Sequence, residues 1–328
     1  MKKTIIIPYY GKFPAFFQLF LNSCKWNKGF NWLIFTDNED KYIYPDNVKK
    51  IKLSFNELRD IVQSKFDFKI ILNSPYKLCD YKVAYGIIFS DWLIDSDWWG
   101  FSDCDVIYGN LDKLITKEMY NNDKIFTLGH FALFRNKKEI NNAFFTKFEG
   151  VEYAKKVFTR NDSFGFDEMI INDIFEENRF KIYSLDLSAN ISVYYNNFRI
   201  VKRVYDLHRY ITEEFVPAIY YWGNGGVYRL FYNDDDGRII KSEFLYIHMQ
   251  QRNLSLRDDL ANYRNVFQIL PNSIISLKSE PRVDEFDKYH FKERLSRKSI
   301  HYMNNLVRYK VKRKLSLLFK GKFLRGRY

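Results

Sequence analysis

The sequence predicts an α/β protein with a mostly parallel central sheet, and three observations carry that prediction. Residues 4–10 form a short apolar run that breaks at Gly11 and leads into a helical pattern, the strand, turn and helix that open nucleotide-binding α/β folds. Apolar runs of strand length recur at 31–36 and 49–53. The run Trp98-Trp99-Gly100-Phe101 carries no helical stripe and ends in two carboxylates, Asp103 and Asp105, as a buried central strand does when it delivers a polar site.

The elements follow in order. Pro14 stands where a first helical turn starts, and Phe16, Phe17, Phe20, Leu21 and Cys24 give a helix that is apolar on more than one side. Asp37 closes the second strand, where such sheets place residues that touch a base or ribose. Ser54 followed by Glu57 is a capping box and starts a helix after the third strand. The polar stretch 76–82 precedes a helix expected over 83–94, and it would set Lys77, Asp80 and Lys82 over a nucleotide unless it is only a solvated helix start. A strand over 125–135, interrupted at Gly129-His130, and a helix over 169–177 come next. Asp167 and Glu168 lie at the start of that helix, where the dipole favours acids and where a carboxylate could deprotonate an acceptor hydroxyl. Residues 190–250 read as strands and hairpins, with turns at 222–226 and 233–237 and a late strand over 243–249 that carries His248.

Asp103 and Asp105 are the chemically informative pair. Side chains two apart on an extended backbone share a face, so the two could share one cation. Hard oxygen donors suit Mg²⁺ or Mn²⁺, which keep positions open for water and phosphates. There is no Gly-x-Gly-x-x-Gly and no Walker lysine motif, so neither a dinucleotide fold nor a P-loop is supported.

Composition sets the outer limits. With 46% hydrophobic and 19% aromatic residues, the 328-residue chain can build a sizeable core and is no disordered polymer. Its three cysteines, Cys24, Cys79 and Cys104, are far apart and read as packed, reduced thiols of a cytosolic protein. No run approaches the roughly 18 apolar residues of a spanning helix, and the apolar run over the first residues is too short for a signal peptide. The net charge of +12 resides in residues 291–328, where thirteen Lys or Arg face the single Glu293. In that tail Ile300, Met303, Val307, Val311, Leu315 and Leu318 step by three or four, the pattern of a basic amphipathic helix suited to an anionic membrane surface. The expected organisation is a domain over 1–255, a connecting segment over 256–290 and the basic helical tail over 291–328.

Taken together, the Ile-Pro-Tyr-Tyr-Gly-Lys-Phe-Pro opening, Phe35-Thr36-Asp37, Lys77-Leu78-Cys79-Asp80-Tyr81-Lys82, the Asp-x-Asp strand, the 129–136 segment and Tyr246-Ile247-His248-Met249-Gln250-Gln251-Arg252 resemble a bacterial GT-A-type glycosyltransferase. More narrowly they resemble a group encoded with surface polysaccharide genes, those of capsule and O-antigen. The resemblance implies a GT-A-like α/β/α sandwich, a nucleotide-diphosphate sugar donor, usually a UDP-sugar, and a glycan or lipid-linked glycan acceptor. It implies Mn²⁺ or Mg²⁺ held by Asp105, with Asp103 near ribose and metal and His248 completing the ligand set. Tyr9, Tyr10, Gly11, Asp37 and Lys82 would surround the nucleotide, and Asp167 or Glu168 would be the base. The sequence departs from the commonest pattern in lacking a clear Glu-Asp-Asp, which leaves the base and the stereochemical course open. The expected location is cytoplasmic, peripheral on the inner face of the cell membrane. Two other classes are compatible with the same residues: a metal-dependent nucleotidyl- or phosphotransferase using the Asp pair, and a non-enzymatic polyanion binder. Nucleic acid is disfavoured as a partner, because the aromatics sit inside apolar runs and the basic residues concentrate in the tail.

Overall fold

The structure, a computed structural model, describes residues 1–205, 209–233, 236–250, 252, 254–258, 265–290, 307 and 311. In chain order its strands are β1 (Lys3–Pro8), β2 (Phe30–Thr36), β3 (Val48–Lys52), β4 (Trp98–Ser102), β5 (Val106–Tyr108), β6 (Lys124–Leu128), β7 (Phe131–Arg135), β8 (Ile182–Tyr183) and β9 (Ala189–Asn190). They continue with β10 (Val201–Val204), β11 (Arg209–Thr212), β12 (Ala218–Gly223), β13 (Gly226–Tyr232), β14 (Ile239–Phe244), β15 (Tyr246–His248), β16 (Ser255–Leu256), β17 (Val266–Leu270) and β18 (Ser273–Ser276). The architecture is mixed α/β with several sheets. The chain divides into two compact units, one made of Met1–Phe13, Leu21–Cys104 and Leu111–Asp186, the other of Pro14–Phe20, Asp105–Asn110 and Leu187–Tyr328.

The first unit is organised by a seven-stranded sheet in the order β3-β2-β1-β4-β7-β6-β8. Strands β3, β2, β1 and β4 are parallel neighbours, whereas β7 runs antiparallel to both β4 and β6. Strands buried on both faces need continuous apolar sequence, and every residue of β4 and β6 is buried. The single strand expected over 125–135 is instead the hairpin β6–β7, turning at Gly129-His130, so one long apolar run folds back on itself. The helix after β3, Phe55–Ser64, starts on the expected capping box, with Ser54 and Glu57 satisfying each other's backbone. The regular helix expected over 83–94 is replaced by short turns, Leu78–Tyr81, Lys82–Ala84, Tyr85–Ile88 and Ser90–Trp92. Val83, Ala84, Tyr85, Ile88 and Phe89 all enter the core there, and packing overrides helical regularity.

The second unit holds a six-stranded sheet in the order β14-β13-β12-β17-β18-β16 and a three-stranded sheet in the order β5-β15-β9. The expected turns at 222–226 and 233–237 join β12 to β13 and β13 to β14. The late strand expected over 243–249 is two strands. Leu245 separates them, its N–H bonded to the Leu187 carbonyl, where the chain leaves β13 for β5. Residues 256–290 do more than connect, since β17 inserts between β12 and β18. Phe267 stacks on Trp222 at 5.2 Å between ring centroids, both fully buried. Most of the basic tail 291–328 lies outside the described residues, including all of its expected stripe except Val307 and Val311, which are more than half exposed. Among the described residues no helix is long and apolar enough to cross a membrane. Because Phe267 fills the heart of the second unit, Phe267→Ala should cost about 3–5 kcal/mol in urea denaturation, whereas a linker residue would cost almost nothing.

Candidate active site

In the first unit, the parallel strands β1, β2 and β4 end on one edge of the sheet, and the residues that follow them lie at their carboxyl ends, where open α/β sheets bind ligands. Tyr9 and Tyr10 follow β1, Asp37 follows β2 and Asp103 follows β4. The Tyr9 ring stacks on Phe13 at 4.8 Å and its hydroxyl donates to the Lys12 carbonyl at 3.0 Å. Gly11 sits at φ +109°, a conformation costly for any other residue, and its carbonyl accepts from the Asn38 side-chain amide at 3.1 Å, tying together the loops after β1 and β2. Asp37 is exposed, and the Tyr10 hydroxyl is buried without a hydrogen-bond partner. Such an orphan is expensive, and a ligand polar group would satisfy it.

Lys82 is the electrostatic centre of this edge. Its ammonium donates to Asp103 Oδ1 at 2.6 Å and to the Gly129 carbonyl at 2.7 Å, and stands 3.5 Å from Asp167 Oδ2. Burial alone would push the ammonium toward neutrality, but the carboxylates of Asp103 and Asp167 outweigh it and hold the lysine charged. Asp167 is pushed up to about 8 by burial; Lys82 pulls it down, and Glu168, Asp103 and Asp80 push it further up. Its carboxyl therefore gives up its proton at a higher pH than an ordinary aspartate does. Gly129 permits the crowding, because a Cβ there would lie 3.1 Å from Asp167 Oδ2 and 3.3 Å from Glu168 Oε2.

Asp167 and Glu168 do not start a regular α-helix as expected. They lie in a π-helical turn, Phe166–Ile170, that runs into the α-helix Ile171–Glu177. Asp80, fully buried, anchors the approach to this turn: it accepts the backbone N–H groups of Phe164 and Phe166 at 3.1 Å together with the Lys77 ammonium at 2.8 Å. Lys77 also donates to the Asp162 carbonyl. Of the three charged residues expected over the nucleotide, only Lys82 reaches the edge; Lys77 and Asp80 are consumed in this latch, which fixes the loop carrying Asp167. π-Turns of this kind recur at functional sites.

In the second unit, β15 pairs antiparallel with β5 and parallel with β9, which sets His248 opposite Val106 on one side and Asn190 on the other. Asp105 immediately precedes β5, and its carbonyl accepts the Met249 N–H at 2.9 Å. His248 Nε2 lies 3.2 Å from Asp105 Oδ1, with the ring buried. The strand expected to run through both carboxylates is broken: β4 stops at Ser102 and β5 starts at Val106, leaving Asp103, Cys104 and Asp105 as a connection. The donor set fits a divalent ion. A carboxylate and an imidazole suit Mn²⁺ better than Mg²⁺, which prefers oxygen alone. A separation of 3.2 Å is that of neighbouring ligands on one ion, roughly 3 Å apart when each bond is about 2.1 Å.

Sequence reasoning missed Asn190, Gln250 and the Gly129 carbonyl. Asn190 is 58 residues from His248 in the chain, and a backbone carbonyl leaves no mark in a sequence. The raised Asp167 has a measurable signature. An unfolded aspartate titrates near 3.9, so the protonated, buried form adds stability below about pH 4 that is lost as the pH rises through about 8. Asp167→Asn, neutral at every pH, should lack this fall, and its stability relative to the wild type in urea should rise between pH 5 and pH 8.5.

Comparison with known proteins adds a family. No curated protein matches the chain. Among solved structures, an active-site mutant of LgtC aligns with 59% of this chain and 76% of its own at 11% identity, with a TM-score of 0.33, too low to define a shared fold. The model of DUF6625, a family of unknown function, matches residues 5–278. The chain belongs to the DUF6625 family.

Proposed function

We propose that this protein is a metal-dependent glycosyltransferase that moves a sugar from a nucleotide-diphosphate donor, a UDP-sugar, to a glycan or lipid-linked glycan acceptor in surface polysaccharide synthesis. The observation that carries the reading is the pairing of Asp105 with His248, a carboxylate and an imidazole at the spacing of two ligands on one ion. Asp103 adds a further carboxylate two residues earlier in the chain, within about 7 Å of backbone reach. We assign Asp103, Asp105 and His248 as ligands of Mn²⁺ or Mg²⁺. A bound cation would offset the charge that develops on a departing nucleoside diphosphate.

The remaining roles fall to the chain's own groups. Tyr9, Tyr10, Gly11 and Asp37 receive the nucleoside, with the buried Tyr10 hydroxyl available as a donor or acceptor. Lys82 holds Asp103 in place and keeps positive charge beside it. Because Asp167 is buried against Lys82, the less buried Glu168 beside it is the group we assign to take the acceptor hydroxyl's proton, assistance worth about 10²- to 10⁴-fold in rate. The basic tail 291–328 would hold the enzyme at an anionic membrane surface near lipid-linked acceptors.

The test is a thermal-shift screen of nucleoside diphosphates with and without Mn²⁺. UDP at about 100 times its Kd should stabilise the wild type by roughly 2.7 kcal/mol only when Mn²⁺ is present, and should leave Asp105→Ala unshifted. Absence of a shift with every nucleotide overturns the reading. Release of pyrophosphate instead of a nucleoside diphosphate during turnover would assign the same residues to nucleotidyl transfer.

A further inference from the structure

The imidazole of His248 has two faces, and only one of them meets Asp105. Its Nδ1 lies 3.0 Å from the Asn190 side-chain oxygen, which also accepts the Gln250 side-chain N–H at 2.5 Å. An amide oxygen accepts and never donates. The hydrogen between Nδ1 and Asn190 must therefore belong to the histidine. Once Nδ1 carries the proton, a neutral ring leaves Nε2 with a bare lone pair, and that lone pair stands 3.2 Å from an oxygen of Asp105. Two acceptors facing each other repel, so the pair favours a proton or a metal cation shared between Nε2 and the carboxylate.

We propose that Asn190, supported by Gln250, is a positioning residue that fixes His248 as its Nδ1–H tautomer and so turns Nε2 into a preformed cation ligand beside Asp105. The inference rests on the metal reading above and extends it by naming what orients the ligand. The backbone supports it from both sides. Asn190 and His248 are register partners in the β9–β15 pair, the Ile191 N–H donates to the His248 carbonyl at 3.0 Å, and Asn190 is only 4% exposed. Gln250 reaches Asn190 from a backbone φ of +43°, a conformation that non-glycine residues adopt at some cost. A histidine ligand whose other nitrogen is held in this way binds metal better, and losing the holding group typically lowers affinity by 10- to 100-fold.

Two measurements on the full chain test it. Long-range ¹H–¹⁵N spectra of the histidine-labelled, metal-free protein at pH 8, with His248 assigned by loss of its signals in His248→Gln, should show a protonated Nδ1 and an unprotonated Nε2. Titration with Mn²⁺ alone, followed by the electron paramagnetic resonance of the free ion, should show affinity falling about 10- to 100-fold in Asn190→Ala. Asn190→Asp, which keeps the acceptor oxygen and the shape, should restore it. A neutral His248 whose single proton sits on Nε2 in the wild type overturns the proposal without any variant. So does unchanged Mn²⁺ affinity in a folded Asn190→Ala, which would leave the metal site itself standing. Failure of the wild type to bind Mn²⁺ would overturn the metal reading, while the tautomer would still decide whether Asn190 orients the ring.

Discussion

A lysine ammonium cannot be buried without company, and the first unit is built around supplying that company to Lys82. Two carboxylates and one carbonyl surround it, drawn from the end of β4, the β6–β7 turn and the π-helical turn. Two of those three elements depart locally from regular structure. β6 breaks register between Ile125 and Leu128, with Phe126 at φ +69°, just before the turn that offers the Gly129 carbonyl. Bulges beside functional sites re-aim the chain in this way. The Asp80 latch likewise stabilises an irregular loop where a plain helix would carry Asp167 elsewhere. Both irregular elements present polar groups to the Lys82 ammonium, which burial would otherwise leave unsatisfied.

The second unit solves a simpler problem with sheet register. Parallel and antiparallel pairing on the two sides of β15 fixes where His248 stands relative to Asp105 and Asn190. Nothing in that arrangement depends on long, mobile side chains. His248 and Asn190 are short groups on paired strands and Asp105 stands one residue before another strand, a more precise placement than a long loop gives.

The sequence made the sheet legible because hydrophobic runs and caps are local signals. β1, β2 and β3 fall within a residue or two of their expected positions, and Ser54 with Glu57 forms the box that their spacing suggested. The hairpin β6–β7 was hidden because an apolar run looks the same whether it is one strand or two. Asp103, Asp105 and His248 could be singled out by type and position, yet the partners that give them character could not. Lys82 meets Asp167 across 85 residues and His248 meets Asn190 across 58, and only the closed chain reveals such pairs. Lys77 and Asp80 show the converse hazard, since charges that read as a ligand patch are spent on holding a loop.

The division of the chain carries a consequence for how the protein is made. The second unit draws on Pro14–Phe20, Asp105–Asn110 and everything from Leu187 onward. Its three-stranded sheet therefore cannot close until β15 has left the ribosome, and β12 lacks one neighbour until β17 follows. Chain termini separated by such long loops fold slowly, and partly made sheets expose unpaired edges meanwhile. Synthesis of the first 186 residues yields all of one unit but keeps two short segments, 14–20 and 105–110, waiting for strands not yet translated.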